Sequence, residues 1–486
     1  MRLYNTLTRG LDDVAPGAGG YVTMYTCGPT VYRYAHLGNL RTFMLADLIR
    51  RGLELEGCRV TQIMNITDVG HMTDEASPEA VDKMLLAVED EGLSPLDIAQ
   101  KYADAVFEDA AAVGIRPADS YPKATEHIPE MVELTQALID RGHAYVVDSG
   151  SVYFDVSSFP GYGALSGNTL DNLREGHRDL ETDPAKRTPA DFALWKSAGP
   201  GRLMKWDSPW GVGFPGWHIE CSAMSMRYLG ERFDIHTGGN DLRFPHHEDE
   251  IAQSEGAVGH PVVSIWVHGG HLRQSGQKIS KSTGNTVRVP DLLEHGVDPL
   301  AFRWLTFQTR YRSEMDFTWD AMDVADAKVR QLRRRMAEWK PGAEALGEAA
   351  RAYDRRFRDA VAADLDMPAA VVIVNELSGA NGVTGAEKYA LLASWDSVLG
   401  LDLEREATSR WAPSEEMLAK VARRDAARAG KDYVESDRLR DELAAMGLEV
   451  MDTPEGTKVR RETEGRAIRR PGARASSGSV VPPRRR

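Results

Sequence analysis

The feature that most constrains the fold is the stretch 21–66, in which a strand, a loop, a helix and a second strand follow one another. Apolar runs at Tyr21–Tyr25 and Val60–Ile66 predict the two strands. Between them, apolar side chains recur at helical spacing through Leu40–Glu56 and stop at Gly57. This order is typical of a βαβ unit, in which anions bind where the loop meets the helix N-terminus. The sequence therefore predicts an α/β fold with a ligand site just before this helix.

The loop between the first strand and the helix lacks the usual glycine-rich fingerprint. In its place are a thiol (Cys27), an imidazole (His36), a glycine that lets a ligand approach the backbone (Gly38) and an amide (Asn39). His36 and Asn39 are three residues apart at the predicted helix start, so both can reach one phosphate oxygen. The alternative is that His36 only forms a hydrogen bond at the helix end. The combination indicates a phosphate site with a sulfur-binding group beside it.

Length and composition exclude several classes of protein. A chain of 486 residues predicts about three domains. Its cysteines, Cys27, Cys58 and Cys221, cannot form a disulfide framework in so long a chain, which favours a reducing, cytoplasmic setting. We find no signal-peptide core at the N-terminus and no apolar run near the roughly 20 residues of a membrane span. The net charge of −14 argues against a protein coated in nucleic acid, although a local basic surface is compatible with it.

Four residues that are distant in sequence offer ligands that zinc accepts. They are two thiolates, an imidazole and a carboxylate, at Cys27, Cys221, His246 and Glu250. The last two lie four residues apart on a predicted helix, His246–Ala252, and so share one face, with the other acidic and histidine residues of HHEDE as rivals. From the residues alone an alternative stays open, in which the cysteines are buried small hydrophobic residues and HHEDE is a solvated acidic face.

A polar loop, RQSGQKISKSTGN, follows the predicted strand Val262–Val267. Lys278 and Lys281 stand three residues apart in it, with hydroxyl groups nearby. Such a loop can close on a polyphosphate and stabilise the charge that builds on departing pyrophosphate. The alternative is a solvated surface loop without a ligand.

An early HxGx segment combined with a downstream KxSKS segment resembles the class I aminoacyl-tRNA synthetases. Further stretches narrow the resemblance to the cysteinyl-tRNA synthetase family; they include LYNTLTR, CGPTVY, NITDV, DFALWK, PGWHIECSAM, FPHHEDEIAQS and KISKSTGN. The resemblance runs from residue 3 to about residue 461. It implies an α/β fold with a class I Rossmann-type catalytic domain, an inserted connective domain, an all-α helical bundle and a small C-terminal α+β anticodon-binding domain.

The resemblance and the changes in composition together predict the domain boundaries. The expected parts are a catalytic domain (1–120 and 192–270), an inserted connective or acceptor-end domain (121–191), the KISKS loop with a stem-contact region (271–319), a helical, anticodon-binding bundle (320–411), a small C-terminal domain (412–463) and a disordered basic tail (464–486).

Zinc is the cofactor that the resemblance implies, with one ion per subunit at the base of the amino-acid pocket. By motif its ligands are Cys27 of CGP, Cys221 of HIEC, His246 as the first histidine of PHHE, and Glu250. An apolar pocket discriminates near isosteres such as cysteine and serine by only about 1–3 kcal/mol. A zinc ion that takes the substrate thiolate as a further ligand prefers soft sulfur over a hydroxyl.

The resemblance also implies roles for other residues. Those expected to hold and stabilise the phosphates are His36, Asn39, Lys278 and Lys281. Those expected at the nucleotide are Gly38, Gly238, Gly239, Asp241, His268 and Lys281. Those expected beside the amino acid are Gly28, Thr67 and Trp217.

The implied activity is that of a cysteine–tRNA ligase. ATP, accompanied by Mg²⁺, would activate L-cysteine to cysteinyl-adenylate, and the cysteinyl group would pass to the 3′ end of tRNA(Cys). Little general-base catalysis is needed, since positioning and charge stabilisation carry both steps. We expect a cytoplasmic monomer with no membrane partner.

The chain departs from the family pattern in several places. HLGN stands where HIGH is usual, so that the neutral Asn39 replaces an imidazole. Arg33 follows TVY in place of the common aspartate, and Val459 stands where an anticodon-stacking tryptophan is typical. The last change bears on anticodon reading, because base–aromatic stacking contributes about 1–3 kcal/mol.

Two other functions compete with tRNA charging. A ligase of the mycothiol type would pass activated cysteine to an amine or a sugar, but such relatives lack a C-terminal tRNA-binding part, so 320–461 favours tRNA. A catalytically silent paralog would bind RNA or zinc as a regulator, and the intact KISKS segment counts against it. The basic C-terminal tail is either a salt-sensitive RNA contact or a solubilising end.

Overall fold

The computed structural model describes residues 1–70, 83–168, 184–199, 201–274, 277–278, 286–339, 341–342, 345–405, 414–430, 432–446, 448–453 and 456–461. The chain divides into two compact units: Met1–Val289 with Val297–Thr408, and Pro290–Gly296 with Ser409–Arg486. The predicted disordered tail, 464–486, lies outside the described residues.

The described strands and helices follow in chain order. The strands are β1 Arg2–Asn5, β2 Gly10–Asp13, β3 Tyr21–Thr26, β4 Arg59–Met64, β5 Ala144–Val146, β6 Val152–Phe154, β7 Phe192–Ser197, β8 Gly213–Pro215, β9 Phe233–Gly239, β10 Val263–Gly269, β11 Leu272–Gln274, β12 Gln277–Lys278, β13 Met315–Phe317, β14 Leu448–Thr453 and β15 Gly456–Arg461. The α-helices are α1 Leu37–Leu55, α2 Lys83–Glu91, α3 Pro95–Ala112, α4 Ile128–Asp140, α5 Trp217–Leu229, α6 Glu248–Val258, α7 Val289–Glu294, α8 Leu300–Thr306, α9 Trp319–Trp339, α10 Glu348–Ala362, α11 Met367–Gly379, α12 Gly385–Leu399, α13 Glu415–Ala429 and α14 Tyr433–Ala445.

A parallel four-stranded sheet in the order β10-β9-β3-β4 forms the centre of the first unit. The predicted βαβ unit is confirmed: β3 and β4 pair in parallel from Tyr21 opposite Arg59 to Thr26 opposite Met64, and α1 connects them. The ends of β3, β9 and β10 therefore lie at one edge of the sheet, where open α/β sheets bind ligands. Cys27 follows β3 at this edge.

An antiparallel sheet in the order β5-β6-β7-β8 lies between the two halves of the parallel sheet in the sequence. The sequence predicts β5 and β6 as two strands joined by a turn, and the structure confirms them. β7 and β8 join the same sheet, so it extends to Pro215. Pairing between strands so distant in sequence leaves no local pattern, so the hydrophobic periodicity shows strands but not their partners.

The predicted polar loop after β10 is wrong in part, because the structure places Gln277–Lys278 in a strand that pairs with β11. The other residues of KISKS lie outside the described residues. The predicted helix start at His246 is also inexact. A wide helical turn, Arg243–His247, precedes the regular helix α6.

A buried ion-pair network joins α1 to the helices that follow the sheet. Asp47, which is 2% exposed on its side chain, accepts hydrogen bonds at 2.7 Å from Arg51 and at 2.6 Å from Arg303. Arg51 also donates to the carbonyl of Ser397 near the end of α12, at 2.7 Å. Burial opposes ionisation of Asp47, yet Arg303 and Arg51 hold the pKa of this carboxyl below its ordinary value.

Asp47→Asn is expected to lower the free energy of unfolding of the first unit by about 3–5 kcal/mol. Removing one partner of a buried ion pair leaves the other charge buried and uncompensated, here on Arg303 and Arg51. Urea denaturation followed by circular dichroism measures the change. The control is Glu348→Gln, which breaks an exposed pair with Arg355 and should leave the unfolding midpoint unchanged. Equal stability of the Asp47 variant and the wild type would contradict the role of the network.

The second unit contains helices α13 and α14 and the hairpin of β14 and β15. Leu443 and Val450 are buried in its small core, against Met417 and Val421. Val459, which stands where the family typically has a tryptophan, pairs with Val450 across the hairpin. Among the residues described in both units, no helix is long and apolar enough to cross a membrane.

Candidate active site

Four potential metal ligands, predicted from distant parts of the sequence, meet at the carboxyl edge of the parallel sheet. The ligand atoms of Cys27, Cys221, His246 and Glu250, called the ligand cluster below, all lie within 4.8 Å of one another. The Cys27 and Cys221 sulfur atoms are 3.8 Å apart, and His246 Nε2 is 3.1 Å from Glu250 Oε1. All five residues of HHEDE are buried, so this segment is not a solvated acidic face.

Four separate elements position these side chains. Cys27 directly follows β3, Cys221 lies in α5, His246 lies in the wide turn before α6, and Glu250 lies in the first turn of α6. All four residues are buried. Because they project from different elements of one packed domain, their arrangement depends on the whole fold rather than on any short motif.

Surrounding side chains orient the ligands through hydrogen bonds. His218 Nδ1 lies 2.8 Å from His246 Nδ1, which leaves Nε2 of His246 facing Glu250. His236 Nε2 lies 2.8 Å from Glu250 Oε2, which leaves Oε1 facing the cluster. Metal ligands are commonly oriented by such outer partners. The motifs did not indicate either partner, since both histidines occur as ordinary residues of an α-helix and a β-strand.

A second set of potential ligands shares two members with the first. Cys27 and Glu250 also lie within 4.8 Å of His236 and His247, ligand atom to ligand atom. His247 is otherwise bonded within the protein, because its Nδ1 lies 2.8 Å from His268 Nε2. The first set contains the sulfur atoms of both Cys27 and Cys221, whereas the second contains only that of Cys27. Zinc accepts thiolate ligands readily.

The electrostatics of the two sulfur ligands differ. Burial raises the pKa of the Cys27 thiol well above its ordinary value, and Cys221 and Glu250 add to the shift. A hydrogen bond from Cys27 lowers the pKa of the Cys221 thiol. Thiols bind metals as thiolates, so a divalent cation at this pair would displace the proton of the Cys27 thiol.

The imidazole and the carboxylate of the cluster stabilise each other's charge. Burial disfavours the imidazolium of His246, but hydrogen bonds to Cys221 and Glu250 raise its pKa to about 10. Burial disfavours the carboxylate of Glu250, but His236 and His246 lower its pKa to about 2. Two sulfur atoms, an imidazole and a carboxylate are thus buried together, and this donor set fits Zn²⁺.

A cavity of about 310 Å³ opens beside the ligand cluster. The predicted site residues that line it are Cys27, Gly28, Asn39, Trp217, Gly239 and Asp241. Trp217 also packs on His246, with 4.5 Å between the ring centroids. A side chain at position 28 would collide with the Asn65 carbonyl, since a Cβ there would lie 1.7 Å from its oxygen. Gly28 therefore allows the backbone to pass close to the β4 end.

His36 and Asn39 form a reciprocal cap at the start of α1. The Asn39 N–H donates to His36 Nδ1 at 3.3 Å, and the His36 N–H donates to Asn39 Oδ1 at 3.2 Å. The cap therefore uses the amide oxygen of Asn39 as a hydrogen-bond acceptor, and Asn39 also lines the cavity. Gly38 is required beside the cap, because a Cβ there would lie 2.9 Å from the His36 ring.

The predicted nucleotide residues lie at the ends of β9 and β10. Gly238 and Gly239 end β9, and a Cβ on Gly238 would lie 2.6 Å from the His247 ring. His268 is buried and uses both ring nitrogens within the protein, since its Nδ1 lies 2.8 Å from Thr6 Oγ1 and its Nε2 contacts His247. Any contact of His268 with adenine would therefore use the face of its ring.

Three further predicted site residues are Thr67, Lys278 and Lys281. Thr67 is buried and its hydroxyl lies 3.0 Å from Asn65 Nδ2, so it supports the loop that carries Gly28. Lys278 lies in β12, whose side chains are outside the described part, and Lys281 is not described. The cavity lining also includes Tyr32 and Arg33, which the motifs did not assign to the site.

Comparison with known proteins agrees with this architecture. The family model for "tRNA synthetases class I (C) catalytic domain" matches residues 14–327. Mycobacterium tuberculosis methionyl-tRNA synthetase, solved with methionyl-adenylate, superposes with a TM-score of 0.52 at 15% identity, over 78% of this chain and 90% of that one. At this identity the likeness concerns the fold alone. Fold and site thus define a class I aminoacyl-tRNA synthetase.

Curated relatives narrow the class. A Cysteine–tRNA ligase of Salinibacter ruber is 43% identical over 513 residues, covering 96% of this chain and 99% of that protein. Proteins of the same name from Thermus thermophilus and Halorhodospira halophila are 43% and 42% identical, each over 95% of this chain and 99% of their own length. The chain belongs to the cysteine–tRNA ligase family.

Proposed function

We propose that this chain activates L-cysteine with ATP and transfers the cysteinyl group to the 3′ end of tRNA(Cys). The observation that carries the proposal is the ligand cluster, with all ligand atoms within 4.8 Å of one another beside a cavity lined by Asn39 and Trp217. The cavity, of about 310 Å³ and with Cys27 in its lining, has room for an amino acid. We expect the protein to act as a monomer in the cytoplasm.

The ligand cluster would hold one Zn²⁺ per subunit. Its donor set suits zinc, because two sulfurs, a nitrogen and an oxygen are buried together with partners that orient them. When bound there, zinc supplies an affinity for a thiolate that a hydroxyl does not match. Cys27 and Trp217, which both line the cavity, would place the substrate side chain against the cluster.

In the first step the cysteine carboxylate attacks the α-phosphorus of ATP, forming cysteinyl-adenylate as the bond to pyrophosphate breaks. Asn39 and the capping His36 lie at the start of α1 and would contact the phosphates there, because a helix N-terminus favours anions. Lys278 and Lys281 would close on the same phosphates with Mg²⁺. Gly238, Gly239 and Asp241 would hold the ribose.

In the second step a terminal ribose hydroxyl of tRNA attacks the carbonyl carbon of the adenylate, and AMP leaves with the bonding electrons. The relatives named Cysteine–tRNA ligase match 95–96% of this chain, so the match includes the C-terminal part. This supports tRNA as the acceptor rather than an amine or a sugar. The intact ligand cluster supports an enzyme rather than a silent paralog.

Cysteine-dependent ATP–pyrophosphate exchange, run beside tRNA(Cys) charging, tests the proposal. We expect exchange with L-cysteine and a rate at least about a thousandfold lower with L-serine, because an apolar pocket alone would separate the two by only about 10–200-fold. Equal exchange with serine would contradict selection by the metal. Exchange without charging would point to a different acceptor.

Lys281→Ala is expected to slow adenylate formation about 100-fold to 1,000-fold while changing the KM for cysteine by less than about twofold. The loss of a cation aimed at the charge that builds in the transition state acts on the rate rather than on cysteine binding. Rapid-quench measurement of adenylate separates the two quantities. Lys205→Ala, on an exposed lysine, is the control. An unchanged rate would mean that the KISKS segment is not catalytic.

A further inference from the structure

Three consecutive side chains, Tyr32, Arg33 and Tyr34, called the rim segment below, line one side of the active-site cavity. The backbone before them is anchored to the residues that follow β4. Thr67 donates its N–H to the Pro29 carbonyl at 3.0 Å and accepts the Val31 N–H at 3.2 Å. Val31 is fully buried beneath the segment. The rim segment is therefore held at the cavity edge by its own anchoring contacts.

Aromatic rings and guanidinium groups alternate along this rim. The Arg33 guanidinium lies 5.2 Å from the Tyr32 ring centroid, and that of Arg288 lies 3.9 Å from the Tyr34 ring centroid. Tyr102 of α3 supports Tyr34 from behind in an edge-to-face contact, at 4.8 Å. Tyr34 nevertheless stays 38% exposed, so a rigid aromatic surface faces solvent at the mouth of the cavity.

The charge at the rim is opposite in sign to that of the whole chain. The net charge is −14, yet Arg33 and Arg288 bring two cations to this rim. Lys101 adds little, because Glu91 pairs with it at 2.6 Å. Among the described residues that line the cavity, Asp241 is the one carboxylate. A local positive field on a negative protein would attract a polyanion to this place in particular.

Exposed aromatic rings that alternate with arginines are the usual means of binding single-stranded nucleic acid, whose bases stack and whose phosphates pair. The transfer step also requires that a terminal ribose reach the cavity, which is too small for a duplex. We propose that the rim segment and Arg288 bind the single-stranded 3′-terminal nucleotides of tRNA. Tyr32 and Tyr34 stack on bases, and Arg33 and Arg288 contact phosphates.

This inference rests on the proposed function, and ATP shares the relevant chemistry, a base with phosphates. The experiment therefore has separate arms for the two ligands. Equilibrium binding of intact tRNA(Cys), and of the same tRNA trimmed of its single-stranded 3′ nucleotides, reports the terminal contact. The KM for ATP in pyrophosphate exchange reports the nucleotide.

Tyr34→Ala is expected to weaken binding of intact tRNA about tenfold, or about 1.4 kcal/mol, and to leave the affinity for trimmed tRNA unchanged. Tyr34→Phe keeps the ring and should bind like the wild type. The matched control is Tyr21→Ala. Tyr21 is 48% exposed with Arg59 5.4 Å from its ring, but it lies at the opposite end of β3 from the cavity.

The arginines are tested by salt dependence. Arg33→Gln and Arg288→Gln should each reduce the slope of log affinity against log salt by about 0.7 for intact tRNA, the value for one phosphate contact on a single strand. Arg59→Gln, beside the control tyrosine, should leave the slope unchanged.

The outcomes separate the alternatives. If Tyr34→Ala lowered the affinity for intact and for trimmed tRNA equally, the proposal would be overturned. A rise in the KM for ATP as large as the loss in tRNA affinity would also overturn it, and would assign the rim to ATP. Absence of cysteine-dependent exchange in the wild type would instead refute the proposed function, independently of the rim.

Discussion

Replacing Cys221 with serine is expected to lower cysteine-dependent ATP–pyrophosphate exchange by at least about a thousandfold, equivalent to about 4 kcal/mol of lost transition-state stabilisation. Serine is nearly isosteric, so the packing of this buried position is preserved and the soft sulfur ligand is lost. Binding of ATP should stay measurable. Zinc content by inductively coupled plasma mass spectrometry should fall with the activity.

Cys58→Ser is the matched control for this prediction. Cys58 is also a free cysteine, but it is only partly buried and lies outside the ligand cluster. Its replacement should alter neither zinc content nor exchange. Full cysteine-dependent exchange in Cys221→Ser would refute the proposed role of the metal.

Deletion of residues 412–486 is expected to reduce tRNA(Cys) charging more than about a hundredfold, a loss of about 3 kcal/mol, while sparing pyrophosphate exchange. The deletion leaves the first unit whole, including the parallel sheet and the ligand cluster. It removes α13, α14 and the β14–β15 hairpin, which we propose contact the tRNA.

A shorter deletion, of residues 464–486, separates the small domain from the basic tail. If the tail adds only sequence-independent affinity for tRNA, its deletion should reduce charging at low salt and have no effect at high salt. Unimpaired charging after the longer deletion would point to another acceptor. Loss of exchange after it would show that the first unit does not keep an intact active site alone.

Local patterns in the sequence predicted the elements that build the site. The strands β3 and β4 and the helix α1 follow from hydrophobic periodicity, and the structure confirms them. The predicted start of α6 was less accurate, because Phe244 in the preceding turn has an extended backbone that no periodicity indicates. The pairing of β7 with β8 was missed, since it joins residues that are separated by an irregular segment.

The ligand cluster needed more than local pattern. From residue types alone, zinc competed with ordinary burial of Cys27 and Cys221, and the family resemblance favoured zinc. The structure brings the four potential ligands together and also shows what the sequence could not. His236 and His218 orient Glu250 and His246 through contacts between elements distant in the chain.

The most direct test of the central claim is X-ray absorption spectroscopy of the purified protein at the zinc edge. We predict one zinc per chain with two sulfur neighbours at about 2.3 Å and the remaining ligands nitrogen or oxygen. Addition of L-cysteine should raise the sulfur count to three, and addition of L-serine should leave it at two. Absence of zinc from a zinc-replete preparation, or a sulfur count that L-cysteine does not change, would contradict the account.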